Sequence, residues 1–184
     1  MAGQQIALQY ENWIRLLTLI HYVGFEVCKN ILHIREKLPV DGAQLHQEMN
    51  GKRAKFDKLL KKKILKQDQY DFIFPPVNGV TDITKFDIPL FTSVITVMFD
   101  KKKYQQLVEE LRKWRNKEFH QGQIQMTKAD FNAKWNAFIQ LFGNYGINPN
   151  DYVDLKTCPL DRQSQFTNRY IIDNYLTILG TSIC

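Results

Sequence analysis

Asp87-Ile88-Pro89-Leu90-Phe91-Thr92-Ser93-Val94-Ile95-Thr96-Val97-Met98 is the segment whose reading decides the fold class. Its β-branched residues suit a strand, so the period of the apolar positions has to separate strand from helix. Leu90, Phe91, Val94, Ile95 and Met98 recur at steps of three and four, not two, which is the pattern of a helical face. The start agrees with that reading. Asp87 is a capping residue type, and Pro89 falls in the first turn, where a missing amide proton costs little.

The flanking sequence carries the same rhythm. Trp13, Leu16, Leu17, Ile20, Val23, Val27 and Ile31 predict a long first helix, closed by Pro39 and Gly42. Phe56, Leu59, Leu60 and Ile64 predict a second, followed by a turn-rich stretch with Pro75, Pro76, Asn78 and Gly79. Downstream, Tyr104, Leu107, Val108, Leu111 and Trp114 form the stripe of a fourth helix that Gly122 would stop. Thr127-Lys128-Ala129-Asp130 opens a fifth, with Phe131, Trp135, Phe138, Ile139 and Phe142 inward and Gly143 and Gly146 at its end. Beyond Asn148-Pro149-Asn150, the positions Phe166, Tyr170, Ile171, Tyr175, Leu176 and Ile178 suggest one more amphipathic helix. The expectation is an all-α protein, with a helical domain over residues 1–146 and a tail over 147–184 whose short helix packs on the core or on a protein partner.

Composition bounds the function classes. With 184 residues, 44% of them hydrophobic, the chain can build one sizeable core, and halves would be marginal. Twenty-five Lys and Arg against 19 Asp and Glu give a net charge of +6, which suits a polyanion without requiring one. The longest uncharged run of the first hydrophobic segment, Leu16 to Phe25, falls well short of the roughly 20 residues of a membrane span. No membrane association and, with no secretory leader pattern, a cytoplasmic location are expected. Cys28, Cys158 and Cys184 are scattered and odd in number, so neither a disulfide framework nor a zinc site is indicated. His33 and His46 have no partner at ligand spacing, His21 reads as a core residue, and Trp13, Trp114 and Trp135 read as packing residues on helical stripes. No metal and no cofactor are expected. With no Gly-rich phosphate loop, paired-carboxylate site or nucleophile elbow in the sequence, the conventional NTPase and hydrolase readings lose their support.

Arg115-Asn116-Lys117-Glu118-Phe119-His120 carries the chemistry. A guanidinium supplies forked donors for phosphate oxygens, an amide can orient them, and an imidazole moves protons near neutral pH. His120 falls in a last helical turn, whose carbonyls favour the imidazolium. Asn116 and His120 share a face, whereas Arg115 lies about 140° from His120 on an ideal helix and must reach around. Periodicity alone allows a plainer reading, in which these are solvated charges and His120 suits a helix terminus. A second basic feature is Lys52, Arg53, Lys55, Lys58, Lys61, Lys62, Lys63 and Lys66, interrupted only by Asp57. It fits either a solvated face or an RNA backbone track.

The order of Lys-rich helix, Phe74-Pro75-Pro76, Phe86-Asp87-Ile88-Pro89-Leu90, Arg115-Asn116 to His120, and Phe131 to Trp135 resembles a HEPN domain. More narrowly, it is similar to the subgroup named after the DAZ-interacting zinc-finger ubiquitin ligase, over roughly residues 10 to 145. The resemblance implies a compact helical bundle that pairs as a homodimer, binds RNA or a nucleotide, and in many members cleaves RNA without a metal. Arg115 would then hold the scissile phosphate, Asn116 orient the site and His120 transfer protons. From the charge pattern, and not from the resemblance, Lys58, Lys61, Lys62, Lys101, Lys102, Lys113 and Lys117 are the expected RNA contacts. Two alternatives stand beside an endoribonuclease: a non-catalytic interaction module in ubiquitin-linked or innate-immune signalling, and a nucleotide sensor.

Overall fold

The computed structural model describes residues 2–77, 79–99, 101–120 and 126–157, with side chains except at 2–5, 101, 115–120 and 149. Regular structure among them is all helical: α1 (Ala2–Thr18), α2 (Gly24–Asn30), α3 (Gly42–Asn50), α4 (Arg53–Lys61), α5 (Gln67–Ile73), α6 (Ile88–Met98), α7 (Lys101–His120) and α8 (Lys128–Gly143). π-helical turns follow α1 at Leu19–Val23 and α2 at Ile31–Arg35, and 3-10 segments occupy Ile83–Lys85 and Pro149–Lys156. The seven apolar positions that predict the first helix are all buried, as are the three tryptophans. The helix expected around Phe166 to Ile178 lies outside the described residues, as do Asn78, Asp100, Gly122, Cys158 and Cys184.

Two compact units result, one from Met1–Gly24 with Gln123–Cys184 and the other from Phe25–Gly122. In the first, α1 packs against α8. Thr127 caps α8 by accepting from the Asp130 amide at 3.1 Å, so the expected capping residues do set the start. Phe131, Trp135, Phe138 and Phe142 face inward, while Leu141 takes the buried place expected for the half-buried Ile139. Asn12 Nδ2 donates to Met126 O at 3.2 Å and the Met126 amide to Gln9 O at 3.1 Å, which fastens the approach to α8 along α1. The 3-10 segment Pro149–Lys156 returns onto α8 and α1. Within this unit burial pushes the His21 imidazole down to about 4, so the ring is neutral at physiological pH.

The second unit is built around α6. This helix buries Ile88, Leu90, Phe91, Val94, Ile95 and Val97 and also Thr92 and Ser93, so it is enclosed on nearly all sides. Val97, not Met98, takes the buried place near its end. Its hydroxyls are satisfied internally, with Thr92 and Ser93 both donating to Pro89 O at 2.9 Å. Phe91 meets Phe25 and Phe86 edge-on, with ring centroids 5.1 and 5.3 Å away. The start of α6 is tied to the start of α5 through one carboxylate. Asp87 Oδ1 accepts from the Leu90 amide at 2.7 Å, both Asp87 oxygens accept from Gln69 Nε2 at 3.1 Å, and Gln69 Oε1 accepts from the Lys66 amide at 3.2 Å.

Two expected boundaries shift. Gly42 opens α3 instead of closing the first helix, because Asp41 accepts from the Ala43 and Gln44 amides at 3.1 and 2.9 Å. A Cβ at Gly42 would lie 2.6 Å from Thr81 O, so only glycine admits this approach. The second predicted helix ends at Lys61 and leaves Ile64 55% exposed. Lys63 is left-handed there (φ 56°), and the Ile64 and Leu65 amides fold back onto Leu59 O. Leu65, not Ile64, is the buried residue. Lys37 (φ 55°) ends the π turn after α2 in the same manner, with the Leu38 amide on Leu32 O at 2.9 Å.

Asp87→Ala removes both the cap and the partner of a buried amide, and should cost about 2–3 kcal/mol in chemical denaturation. Asp87→Asn keeps an acceptor and should cost less; equal losses would contradict the shared-carboxylate account. Glu36 gives a pH signature. Hydrogen bonds from Lys103 and then Tyr104 hold its carboxyl below the ordinary 4.5, so its contribution is present above that value and lost as pH falls through the lower folded one. The melting-temperature gap between wild type and Glu36→Gln should therefore narrow below about pH 4.5. A gap unchanged down to pH 3 would contradict it.

Candidate functional site

α7 supplies the platform. Its stripe Tyr104, Leu107, Val108, Leu111 and Trp114 is buried as the sequence predicts, and the helix lies along α6. Tyr104 and Lys103 both donate to Glu36 Oε1, fixing the first turn of α7. Between α6 and α7 runs an open groove of about 220 Å³, walled by Ile95, Tyr104 and Val108 with Thr96, Gln105, Glu109 and Arg112 as its polar groups. Arg112 Nη2 reaches Thr96 Oγ1 at 3.5 Å. Burial lowers the guanidinium pKa, opposed by Glu109, but an Arg so placed stays a cation at neutral pH. Among the described residues it forms no ion pair.

The helix continues through His120, so the motif residues Arg115, Asn116 and His120 occupy the closing turns of α7, as expected. Their side chains, and those of Lys101 and Lys117, lie outside the described residues. Their register is fixed by the backbone. Taking about 100° per residue, Asn116 stands about 40° and His120 about 80° round from Arg112, with Arg115 about 60° to the other side. Arg112 thus heads a strip of Cα positions at four-residue steps, and sequence reasoning passed over it. The signal was available: Arg112, Asn116 and His120 are spaced i, i+4, i+8. Of the other expected contacts on α7, Lys102 is exposed, and Lys113 is drawn to Glu110 at 2.7 Å.

α4 carries the second basic feature. Phe56 is its fully buried residue. On a helical wheel Lys61, Lys58, Lys62 and Lys55 spread over an arc of about 120° opposite Phe56. All four are exposed, and none has a described ion-pair partner. Asp57, the one acid of the run, instead accepts from Tyr70 Oη at 2.6 Å. Burial first, and this bond second, raise the Tyr70 pKa. Arg53 is held too: its guanidinium lies over the Phe74 ring at 4.8 Å and near Tyr70 at 6.0 Å. Sequence reading missed this stack because the two aromatic rings come from α5 and the residue after it.

Other groups are accounted for by packing. Cys28 is buried, which pushes its thiol up to about 12. His33 Nδ1 bonds Leu38 O at 3.0 Å, and His46 lies against Phe74 and Thr81. Among the described residues no cluster of three or more His, Cys, Asp or Glu could hold a metal ion, and no helix is long and apolar enough to cross a membrane. No family model, curated protein or solved structure matches the chain.

The α4 lysines repel one another at i, i+3 and i, i+4, and the first turn has no acid against the helix dipole. Lys55→Glu reverses the pairing with Lys58 and puts a carboxylate in that turn. It should stabilise the fold by about 0.5–1 kcal/mol at low ionic strength, with the gain shrinking in about 1 M salt. Thermal melts at the two salt concentrations test this; a destabilised variant would contradict it.

Proposed function

We propose that the chain is an RNA-binding helical domain of the HEPN type, which receives a phosphate of the RNA along the strip of α7 from Arg112 to His120. The observation that carries this reading is Arg112. An exposed guanidinium at a threonine hydroxyl, in an open groove and without a described ion pair, is placed to receive a phosphate oxygen. The strip it heads contains Asn116 and His120, and Arg115 flanks it.

The chemistry available to those residues is cleavage through the 2′-hydroxyl. One His120 takes the 2′-O–H proton as that oxygen attacks phosphorus, and a second protonates the departing 5′-oxygen, leaving a 2′,3′-cyclic phosphate. Arg112 and Arg115 offset the charge of the phosphorane. Because one imidazole cannot readily do both jobs in the same step, the reading calls for two copies of the motif in a shared cleft, hence a homodimer. No metal-activated water enters this scheme.

The test is incubation of the purified chain with labelled single-stranded RNA in excess chelator. Wild type should cleave, His120→Ala and Arg115→Ala should lose about 100-fold or more, and Arg112→Gln should weaken binding. Cleavage untouched by the His120 and Arg115 variants would overturn the catalytic assignment. Binding without cleavage would favour the interaction module, and failure to bind RNA at all would overturn the whole reading.

A further inference from the structure

We infer, resting on the RNA reading above, that the groove between α6 and α7 selects guanine, with Gln105 and Glu109 holding the Watson–Crick edge of the base and Arg112 the phosphate of the same nucleotide.

The acid in the groove is the observation that calls for a base. Glu109 lines the groove together with Arg112 and stands close enough to act on its charge. A groove for phosphate alone gains nothing from a carboxylate there, because the carboxylate repels the anion that the guanidinium attracts. A ligand that carries hydrogen-bond donors beside its phosphate uses both groups. Glu109 Oε1 accepts from Gln105 Nε2 at 2.7 Å. A carboxylate at neutral pH only accepts, so this bond fixes the amide with its nitrogen toward Glu109. Gln105 Oε1 and Glu109 Oε2 are then two acceptors without a described hydrogen-bond partner, on neighbouring turns of one helix.

Arg112 is placed from the other side of the groove. Thr96 Oγ1 donates to Thr92 O at 2.6 Å, which leaves the same oxygen to accept from Arg112 Nη2 at 3.5 Å. Gln105, Glu109 and Arg112 fall within about 60° of one another on α7, with Gln105 about 10 Å along the axis from Arg112. Asn116 and His120 extend that strip, His120 about 12 Å beyond Arg112. The remaining lining is apolar, which suits a heterocycle and not a second phosphate.

An acceptor pair decides between the bases. Guanine alone places two donors side by side on its Watson–Crick edge, the N1–H and the N2 amino group. Adenine and cytosine present one amino group next to a ring acceptor, and uracil one N–H between two carbonyls. Each of these turns a lone pair onto the carboxylate or the amide oxygen. A duplex has already used that edge in pairing, so the groove takes its guanine from a single strand.

The test uses fluorescent 2′-O-methyl oligouridylates of about 12 nucleotides, which cannot be cleaved through a 2′-hydroxyl, carrying one central guanosine, inosine, adenosine or no replacement. Affinities are read by anisotropy. Wild type should bind the guanosine oligomer about tenfold more tightly than the adenosine or unreplaced one, and inosine, which lacks the 2-amino group, should recover only part of that gain. Glu109→Gln should lose the preference and yet bind the unreplaced oligomer about twofold more tightly than wild type, because the repulsion is gone. Loss of preference with a gain in general affinity is a pair that unfolding cannot produce. Arg112→Gln should weaken all four oligomers alike. Competing GMP should displace the guanosine oligomer only at about 100-fold higher concentration, since it lacks the contacts along the rest of the strip; displacement at equal concentration would give the site to a free nucleotide and overturn RNA as its source. The guanine assignment is overturned, with the RNA reading intact, if wild type binds the oligomers without distinguishing them or if Glu109→Gln keeps the preference. If wild type binds none of them, the RNA reading falls and the base assignment with it.

Discussion

The unit that carries both basic features depends on one carboxylate. α6 is enclosed on nearly every side, so its first amides have no water to turn to and must find an acceptor in the protein. Asp87 provides it for Leu90 and, with the same two oxygens, holds Gln69, whose own amide oxygen receives the Lys66 amide. One side chain thereby fixes where α6 starts and where α5 starts. α7 lies along α6, and Arg53 of α4 rests near Tyr70 and Phe74, from α5 and the residue after it, so both helices are placed with respect to that link.

The parts of this architecture that were legible in sequence are those in which one residue type does its own local work. Asp87 and Thr127 cap the helices that follow them, and the stripes of α1, α7 and α8 bury the residues their spacing selects. α3 and α5 were not legible, because each is short and shows few apolar positions: Leu45 and Met49 in one, Tyr70 and Ile73 in the other. Their existence follows from Asp41 and from the Gln69–Asp87 link, which are tertiary or capping effects with no period. The end of α4 was misjudged for a related reason. Lysine is an unusual residue for a left-handed helix terminus, so Lys63 gave no stop signal where glycine would have.

The site divides along the same line. The motif at the end of α7 was readable because its spacing is a helical property. Arg112 belongs to that spacing, but its distinction comes from its place beside Thr96 in the groove between α6 and α7, which no local pattern reports. Arg53 looked like one cation among eight. What sets it apart is a ring on Phe74, 21 positions further along the chain, so its position is a product of how α5 folds back on α4.

The fate of the acidic residues ties these observations together. Asp41, Asp82, Asp87 and Asp130 are engaged at helix starts, Asp57 is bonded to Tyr70, and Glu36 serves Lys103 and Tyr104. A carboxylate committed to a nearby amide or hydroxyl still counts in the net charge, but it is fixed in place and screens only its own neighbourhood. The lysines of α4 stand apart from such acids on the outward side of their helix, so the local field there is more positive than a net charge of +6 spread evenly would give. Selection for stability alone would favour an acid in the first turn of α4, where the helix dipole and Lys58 would both stabilise it. Its absence from that turn means the helix retains a repulsion that an anion laid along it would relieve.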